Sequence, residues 1–333
     1  MTAAAQALMS VPDIKRQVLR YELGFGIEND AAACIEAELY RPDTVSETAV
    51  FFCLPGGAMN RRFFDLGGDA GDSRFSFARQ MAARGFVTVL IDPPGVGGSD
   101  RPTDGHDLTP ERIADILNRF ASRAIDDIRQ GRIEGMDAMP DMVPLGLGHS
   151  MGAMLTVLQQ AAQPDYAAIA LLGFGTQGLP QFLTQEAKAL VDKPEAWRAS
   201  LSALAKKAFP QAYPVLASDG GEAGLFGSTH ADPEAVKMLK AANDVMLPVT
   251  AFMSLFPGNV APEAAQIEAP VYLALGERDL IRDPEAVPEN FPASIDVRLQ
   301  ILPQTGHSHF LFPSREQLFD GLAHWARQLT EIN

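Results

Sequence analysis

The sequence predicts an α/β fold, in which a mostly parallel eight-stranded sheet is flanked by helices and interrupted by a helical insertion. Short continuous apolar runs, typical of buried parallel strands, alternate along the chain with amphipathic helical patterns. The alternation stops between residues 179 and 262, where only helical patterns occur, and it resumes after residue 263. We therefore expect a core made of residues 1–178 and 263–333, and a helical insertion segment made of residues 179–262.

Eight segments have strand patterns. The first two alternate between apolar and polar residues, which predicts an antiparallel pair with its turn at Glu28-Asn29-Asp30. Five of the other six are short apolar runs, as expected of strands buried on both faces, and the last, at residues 297–302, continues the strand-helix alternation. In chain order, the predicted strands cover residues 18–26, 34–40, 49–54, 86–91, 143–147, 166–173, 271–275 and 297–302.

Amphipathic patterns predict helices between these strands. Thr109 before Pro110 and Asp232 before Pro233 indicate helix starts, because a side-chain oxygen caps free N–H groups and proline fits the first helical position. Gly85 ends the first predicted helix. In chain order, the predicted helices cover residues 73–84, 110–130, 151–163, 182–191, 194–209, 233–243, 249–256 and 314–329.

The strongest chemical signal is the turn Gly148-His149-Ser150-Met151-Gly152. It joins a predicted buried strand to a predicted helix, which is the context of a nucleophile elbow. Such a turn is so sharp that the two positions flanking it, Gly148 and Gly152, must lack a bulky β-carbon. Ser150 then lies at a helix N-terminus, which favours developing negative charge. His149 is expected to pack or hydrogen-bond beneath the turn. The alternative is an ordinary glycine turn, since the chain has 28 glycines.

Two further candidates follow strands near the end of the chain. Functional side chains of an open parallel sheet gather at the carboxyl ends of its strands. Asp279 and His307 both come shortly after such ends. An imidazole can take the proton of Ser150, and a carboxylate can hold that imidazole in the correct tautomer. Glu277 is the alternative acid, and His309 is the alternative base.

Acyl transfer through Ser150 also needs two N–H donors for the oxyanion of the intermediate. Met151, the residue after Ser150, is predicted to supply one backbone N–H. Gly57 is predicted to supply the other from the glycine-rich loop after residues 49–54, with Ala58 as the alternative donor. An ordinary glycine turn would explain this loop equally well.

These motifs together resemble the α/β-hydrolase superfamily, in particular its cap-bearing serine hydrolases such as esterases, lactonases and C–C hydrolases. In chain order, the matching motifs are Pro55-Gly56-Gly57, Asp92-x-x-Gly95-x-Gly97-x-Ser99, Gly148-His149-Ser150-Met151-Gly152, Gly276-x-x-Asp279 and Gly306-His307. Two stretches depart from the family pattern. Many members have His-Gly in place of Pro55-Gly56, and the pattern does not explain Asn60-Arg61-Arg62-Phe63-Phe64. Arg61 and Arg62 are expected to be solvated or ion-paired, with contact to a substrate carboxylate as the alternative.

The resemblance implies that the insertion segment forms a cap over the active site. Its apolar side chains can line a pocket or pack in the core, and as a set they indicate a largely apolar substrate. The side chains available for this are Phe182, Leu183, Phe226, Met238, Met246, Phe252, Met253 and Phe256. We predict hydrolysis of a carboxylic ester or lactone through an acyl-enzyme. A C–C, amide or thioester hydrolase, an acyltransferase and a non-catalytic ligand receptor stay open.

Composition argues against several other functions. The net charge of −15 would repel a nucleic-acid backbone. No apolar run is long enough to span a bilayer, and residues 1–11 lack the basic start of a secretory signal. Cys34 and Cys53 lie in apolar runs, as expected of buried, reduced thiols. We expect a cytoplasmic enzyme that binds a small molecule, needs no cofactor or metal, and contacts neither nucleic acid nor membrane. A homodimer is left open.

Overall fold

The computed structural model describes residues 14–27, 32–68, 72–215 and 230–332, and eight strands in them form one sheet. The strands are β1 (Ile14–Glu22), β2 (Cys34–Pro42), β3 (Ala49–Leu54), β4 (Val87–Ile91), β5 (Val143–His149), β6 (Ala168–Leu172), β7 (Val271–Gly276) and β8 (Val297–Leu302). Their order across the sheet is β1-β2-β4-β3-β5-β6-β7-β8. β2 pairs antiparallel with β1 and β4, and all the other pairs are parallel. The predicted fold class is confirmed.

The first strand lies earlier in the chain than the sequence predicts. β1 ends at Glu22, which pairs with Cys34, so the prediction is wrong for residues 23–26. Gly24 and Gly26 adopt φ values of +62° and +68°, which turn the chain away from the sheet. The predicted turn at residues 28–30 lies outside the described residues.

Nine α-helices occur in the described part of the chain. They are α1 (Phe77–Ala83), α2 (Pro110–Arg129), α3 (Met151–Ala162), α4 (Gln185–Lys188), α5 (Pro194–Ala208), α6 (Pro233–Leu239), α7 (Pro248–Met253), α8 (Ala261–Ala264) and α9 (Arg315–Ile332). The predicted caps are present, because the side chains of Thr109 and Asp232 accept backbone N–H groups at the starts of α2 and α6.

Four helix predictions are only partly right. The helices predicted at residues 233–243 and 249–256 are too long, because α6 ends at Leu239 before a 3-10 turn (Lys240–Ala242) and α7 ends at Met253. The helix predicted at residues 73–84 is divided, because Ser76 ends a 3-10 turn (Ser73–Phe75) and caps α1 with its hydroxyl. The helix predicted at residues 182–191 is reduced to α4, which follows a separate 3-10 turn (Pro180–Phe182). The latter two segments each contain a residue whose side chain competes for backbone hydrogen bonds, Ser76 before α1 and Thr184 before α4.

The sheet is covered on both faces by apolar side chains. Residues of α3 pack on one face, in one buried cluster with residues of α2, α5 and α7, and residues of α1 and α9 pack on the other. In the insertion segment, Trp197 of α5 stacks on Phe256 with ring centroids 4.5 Å apart. Cys34 and Cys53 are buried free thiols, as predicted. Among the described residues, no helix has both the length and the apolar character needed to cross a membrane.

Candidate active site

Ser150 forms the turn between β5 and α3. Its φ of +53° and ψ of −118° lie in a region that side-chain-bearing residues rarely adopt. A β-carbon on Gly148 would lie 2.4 Å from the carbonyl oxygen of Gly152, and one on Gly152 would lie 2.3 Å from that of Leu54. Both neighbouring positions therefore require glycine because of crowding, as the motif predicts.

The three predicted triad residues meet in one chain of hydrogen bonds. The Ser150 hydroxyl donates to Nε2 of His307 at 2.7 Å, and Nδ1 of His307 donates to Oδ1 of Asp279 at 2.6 Å. Burial alone would raise the pKa of the Asp279 carboxyl, but the charge of His307 and the hydrogen bonds from His307 and His309 hold this pKa well below its ordinary value. Asp279 is therefore an ionised acceptor at neutral pH, and His307 can take a proton from Ser150.

The loops after β7 and β8 bring Asp279 and His307 together. The backbone N–H of Glu277 donates to the carbonyl of Leu302 at 2.9 Å, and that of Arg278 donates to Thr305 at the same distance. The Glu277 carboxylate accepts both the backbone and the side-chain N–H of Gln304, at 2.8 and 3.1 Å. Glu277 thus stabilises the loop after β8, whereas Asp279 is the acid that contacts the imidazole of His307.

His149 lies beneath the turn, as predicted. Its Nε2 donates to the backbone carbonyl of His307 at 2.8 Å, and its ring stacks on Phe63 at 4.5 Å. Burial, followed by the charges of His307 and His309, lowers the pKa of His149 well below 6.5. A β-carbon on Gly56 would lie only 2.8 Å from Nδ1 of His149. His149 therefore separates the His307 loop from the glycine-rich loop after β3.

The unexplained stretch after Gly57 is a 3-10 turn (Arg61–Phe64) that supports this arrangement. Arg61 is ion-paired with Glu36 at 2.8 Å and with the buried Asp92, whereas Arg62 is exposed. The ion-paired interpretation of Arg61 therefore holds, and its guanidinium is occupied by protein carboxylates. Phe63 stacks on His149. The only sequence signal for this contact is that Phe63 lies in the stretch that the family pattern does not explain.

The Gly57 loop lies beside the residue that follows Ser150. A β-carbon on Gly57 would lie 3.5 Å from Sδ of Met151, and both residues line the same cavity. Ala58, the alternative donor, adopts φ +58°. The loop is attached to the insertion segment, because Asp244 donates its N–H to the carbonyl of Ala58 at 2.9 Å and accepts from Nδ2 of Asn60 at 3.0 Å.

A main cavity of about 390 Å³ opens over Ser150 and His307. Eight of its fifteen lining residues come from the core, and the other seven come from the insertion segment. The wall residues from this segment are Leu179, Phe182, Phe209, Met246, Ala251, Ser254 and Leu255. A cavity lined mainly by apolar side chains, with a few polar groups at one end, is typical of a small-molecule site.

Most side chains predicted to line the pocket have another place. Phe182 and Met246 do line it. Four others are buried in a hydrophobic cluster instead, and Met238 packs against the hydrophobic cluster on the opposite face of the sheet. The four core residues are Leu183, Phe252, Met253 and Phe256. Phe226 lies outside the described residues.

A side chamber of about 70 Å³ also reaches Ser150 and His307. It is lined on its far side by Phe174, Asn259 and Ile281. The Ser150 hydroxyl therefore faces one large and one small space. Among the described residues, no cluster of three or more histidine, cysteine or carboxylate side chains is placed to hold a metal ion.

The chain is similar to one protein family and to many solved structures. A family model described as "Alpha/beta hydrolase family" matches residues 51–319. The monoacylglycerol lipase of Paleococcus ferrophilus is 15% identical with a TM-score of 0.60, and the match covers 95% of this chain and 99% of that one. The peroxisomal alpha-beta-hydrolase Lpx1 of Saccharomyces cerevisiae is 12% identical with a TM-score of 0.56, covering 96% and 90%.

A structure described in work on carboxylesterases of Nitrososphaera gargenis is also similar, at 15% identity and a TM-score of 0.56, covering 91% of this chain and 97% of that one. No curated protein matches the chain. At these identities the structural similarities show a shared fold, and the chemistry has to be argued from the site.

Proposed function

Because the chain belongs to the alpha/beta hydrolase family, we propose that it is a serine hydrolase that cleaves a carboxylic ester or lactone of a largely apolar small molecule. The observation that carries this proposal is the hydrogen-bonded chain from Ser150 through His307 to Asp279, which opens into the main cavity. A serine hydroxyl becomes an effective nucleophile when a correctly oriented imidazole takes its proton.

In the first half of the reaction, Ser150 Oγ attacks the carbonyl carbon while Nε2 of His307 takes the hydroxyl proton. Asp279 stabilises the imidazolium that forms. The backbone N–H groups of Met151 and Gly57 are proposed to bind the oxyanion, which is supported by the close approach of Gly57 to Met151. When the tetrahedral intermediate collapses, the C–O bond breaks and His307 gives its proton to the leaving alkoxide.

In the second half, water replaces the alcohol. His307 takes a proton from the water, the hydroxide attacks the acyl carbon, and the Ser150 oxygen leaves with the proton that His307 returns. The products are a carboxylic acid and regenerated enzyme. For a lactone, both groups remain in one molecule and the product is a hydroxy acid.

The two spaces beside Ser150 support a substrate of unequal halves. The main cavity of about 390 Å³ suits a large apolar group, and the side chamber of about 70 Å³ has room only for a small one. The insertion segment is proposed to act as the cap, since it supplies seven of the fifteen residues that line the main cavity. We further propose that the protein acts on such small molecules in the cytoplasm.

The test compares wild-type enzyme with Ser150→Ala on p-nitrophenyl esters of increasing acyl length. We expect kcat to fall by about 10⁴-fold or more, with an unchanged thermal unfolding temperature, because the nucleophile is lost and the fold is not. Ser254→Ala is the matched control, because Ser254 lines the same cavity and donates its hydroxyl to the Ala251 carbonyl.

Substantial turnover by Ser150→Ala would refute the proposal. A fluorophosphonate should label Ser150 in the wild type and in Ser254→Ala, but it should not label Ser150→Ala. Thioester and vinylogous diketone substrates measured in parallel identify the bond type, and higher kcat/KM on either of them than on every ester would replace the ester assignment.

A further inference from the structure

His309 is a second histidine in contact with Asp279, and the mechanism above does not use it. It begins a 3-10 turn (His309–Leu311) two residues after His307. Its side chain is fully buried, and its Nε2 lies 3.0 Å from Oδ2 of Asp279. This is the carboxylate oxygen that His307 does not contact, since His307 bonds Oδ1.

The two oxygens of Asp279 are held unequally. Oδ1 accepts from His307 at 2.6 Å and from the backbone N–H of Leu280 at 2.6 Å. Oδ2 accepts from His309 at 3.0 Å, and its other contact, the N–H of Gly276, is at 3.4 Å. Because the carboxylate is fully shielded from solvent, no bulk water can replace a missing donor. Without His309, Oδ2 would keep only its long contact, and the carboxylate plane would be free to rotate.

Packing alone does not account for a histidine at this position. Nδ1 of His309 is buried and has no hydrogen-bond partner among the described residues. An unsatisfied buried nitrogen costs free energy that an apolar ring of similar size would not. Since an ionised carboxylate only accepts hydrogen bonds, Nε2 of His309 must carry the hydrogen that it shares with Asp279. The ring is thus placed to donate one hydrogen bond to one oxygen.

We propose that His309 is a positioning residue, which fixes the carboxylate plane of Asp279 so that Oδ1 stays aligned with Nδ1 of His307. The inference rests on the proposed serine hydrolase function. Its effect reaches Ser150 only through Asp279 and His307, because Nε2 of His309 contacts the carboxylate and not the serine. Loss of this donor lowers the fraction of enzyme in which the His307 tautomer and orientation are correct, which lowers kcat and leaves substrate binding in place.

The experiment uses two amide substitutions that differ by one methylene. In His309→Gln the side-chain NH₂ can occupy the position of Nε2, whereas in His309→Asn it reaches only the position of Nδ1. On p-nitrophenyl butyrate we expect His309→Asn to lose about 10- to 100-fold in kcat, the range seen when an outer hydrogen-bond partner is removed. We expect KM to stay within about threefold and His309→Gln to recover most of kcat.

His309→Phe keeps an aromatic ring, although a larger one, and removes the donor, so it replaces His309→Asn if the asparagine variant does not fold. Thermal unfolding of each variant separates loss of stability from loss of alignment. Equal kcat in the donor-bearing and donor-free variants, or a kcat loss that follows only the unfolding temperature, overturns the inference.

Fluorophosphonate labelling of the wild type separates this inference from the proposed function. A wild-type protein that neither labels at Ser150 nor hydrolyses any ester overturns the proposed function and this inference with it. An active, labelled wild type with a fully active His309→Asn or His309→Phe variant overturns the inference alone.

Discussion

The two sides of Ser150 are held in place by different parts of the chain. On one side, Asp279 and His307 lie on loops after β7 and β8, which are joined to each other by backbone hydrogen bonds within the core. On the other side, the Gly57 loop after β3 is joined to the insertion segment. Asn60 donates its backbone N–H to the carbonyl of Ala242 at 2.8 Å, and Met59 forms an isolated antiparallel β-bridge with Asn243.

The difference teaches that the proposed oxyanion donor and the proposed base have different supports. The first depends on backbone hydrogen bonds to the insertion segment, and the second depends mainly on core loops, which this segment contacts at Arg278 and Leu311. The Asp279 carboxylate is fully shielded, whereas Asp244, which anchors the Gly57 loop, has a side chain that is 15% exposed. Changes in the insertion segment should therefore reach the proposed oxyanion donor before they reach the proposed base. Three substitutions test this comparison, the first at the anchor, the second in the cavity wall, and the third between the two sides.

The largest effect is expected at Asp244. Its carboxylate accepts from Nδ2 of Asn60 and from the N–H of Gly97, and it pairs with Arg101 at 3.4 Å. Asp244→Ala removes these side-chain contacts and loosens the Gly57 loop, which keeps its backbone hydrogen bonds to the insertion segment. We expect kcat/KM for a short activated ester to fall by about 10- to 100-fold, less than the 10²- to 10³-fold cost of deleting an oxyanion donor outright.

Steady-state kinetics and thermal unfolding check this prediction together. Asp192→Ala is the control, because Asp192 is an exposed carboxylate of the same segment. Unchanged kcat/KM in Asp244→Ala would show that the Gly57 loop does not need the insertion segment, and the comparison of the two sides would fail.

The core side of the site was largely predictable from the sequence. β3 and β8 have the predicted bounds, because β3 is a continuous apolar run of strand length and β8 alternates apolar and polar residues over most of its length. Ser150, Asp279 and His307 meet because the carboxyl ends of neighbouring parallel strands lie along one edge of the sheet. The preference for His307 over His309 depended on the Gly306-His307 motif alone, since residues two apart in a loop have no fixed relative direction. The structure shows that His307 contacts both Ser150 and Asp279, whereas His309 contacts Asp279.

The insertion side was predictable only as a set of helices. Ala251 and Leu255 line the main cavity, whereas Phe252, Met253 and Phe256 from the same stretch are buried in the core. All five are apolar, so helical periodicity cannot say which of them faces the cavity and which is buried away from it. The hydrogen bonds between Asp244 and the Gly57 loop join residues far apart in sequence, and no local sequence pattern predicts them.

The cavity wall offers the second test, with a smaller expected effect. Ala251 lines the main cavity and is 7% exposed, so Ala251→Leu places added carbons in the space proposed for the large acyl group. We expect kcat/KM to fall about tenfold or more for a p-nitrophenyl octanoate and to change less than about threefold for the acetate. This ratio isolates selectivity from chemistry, because the triad is untouched.

Ala196→Leu adds the same carbons at an exposed position of α5 and should leave the octanoate-to-acetate ratio at its wild-type value. An equal loss on both esters in Ala251→Leu would mean that the wall also supports the chemistry. The cavity wall and the triad would then not be independent, which contradicts the proposed separation between the two sides of Ser150.

The smallest effect concerns stability and His149, which contacts both sides. It donates to the carbonyl of His307, and its Nδ1 lies against Gly56. Its pKa in the folded protein is well below the 6.5 of the unfolded chain, because of burial first and of nearby imidazole charges second. Between these two values the unfolded state binds the extra proton. Stability is therefore lost as the pH falls below about 6.5, by up to about 1.4 kcal/mol per pH unit from this group.

His149→Gln can keep the hydrogen bond to His307 but cannot titrate. We expect the free energy of unfolding, measured in urea at pH 7.5, 6.0 and 5.0, to fall less steeply with decreasing pH in His149→Gln than in the wild type. His324→Gln, at an exposed position of α9, should follow the wild-type slope. Parallel curves for His149→Gln and the wild type would mean that the imidazole accepts a proton in the folded state. Both sides of Ser150 would then rest on a charged group, and they would no longer be independent of each other at mildly acidic pH.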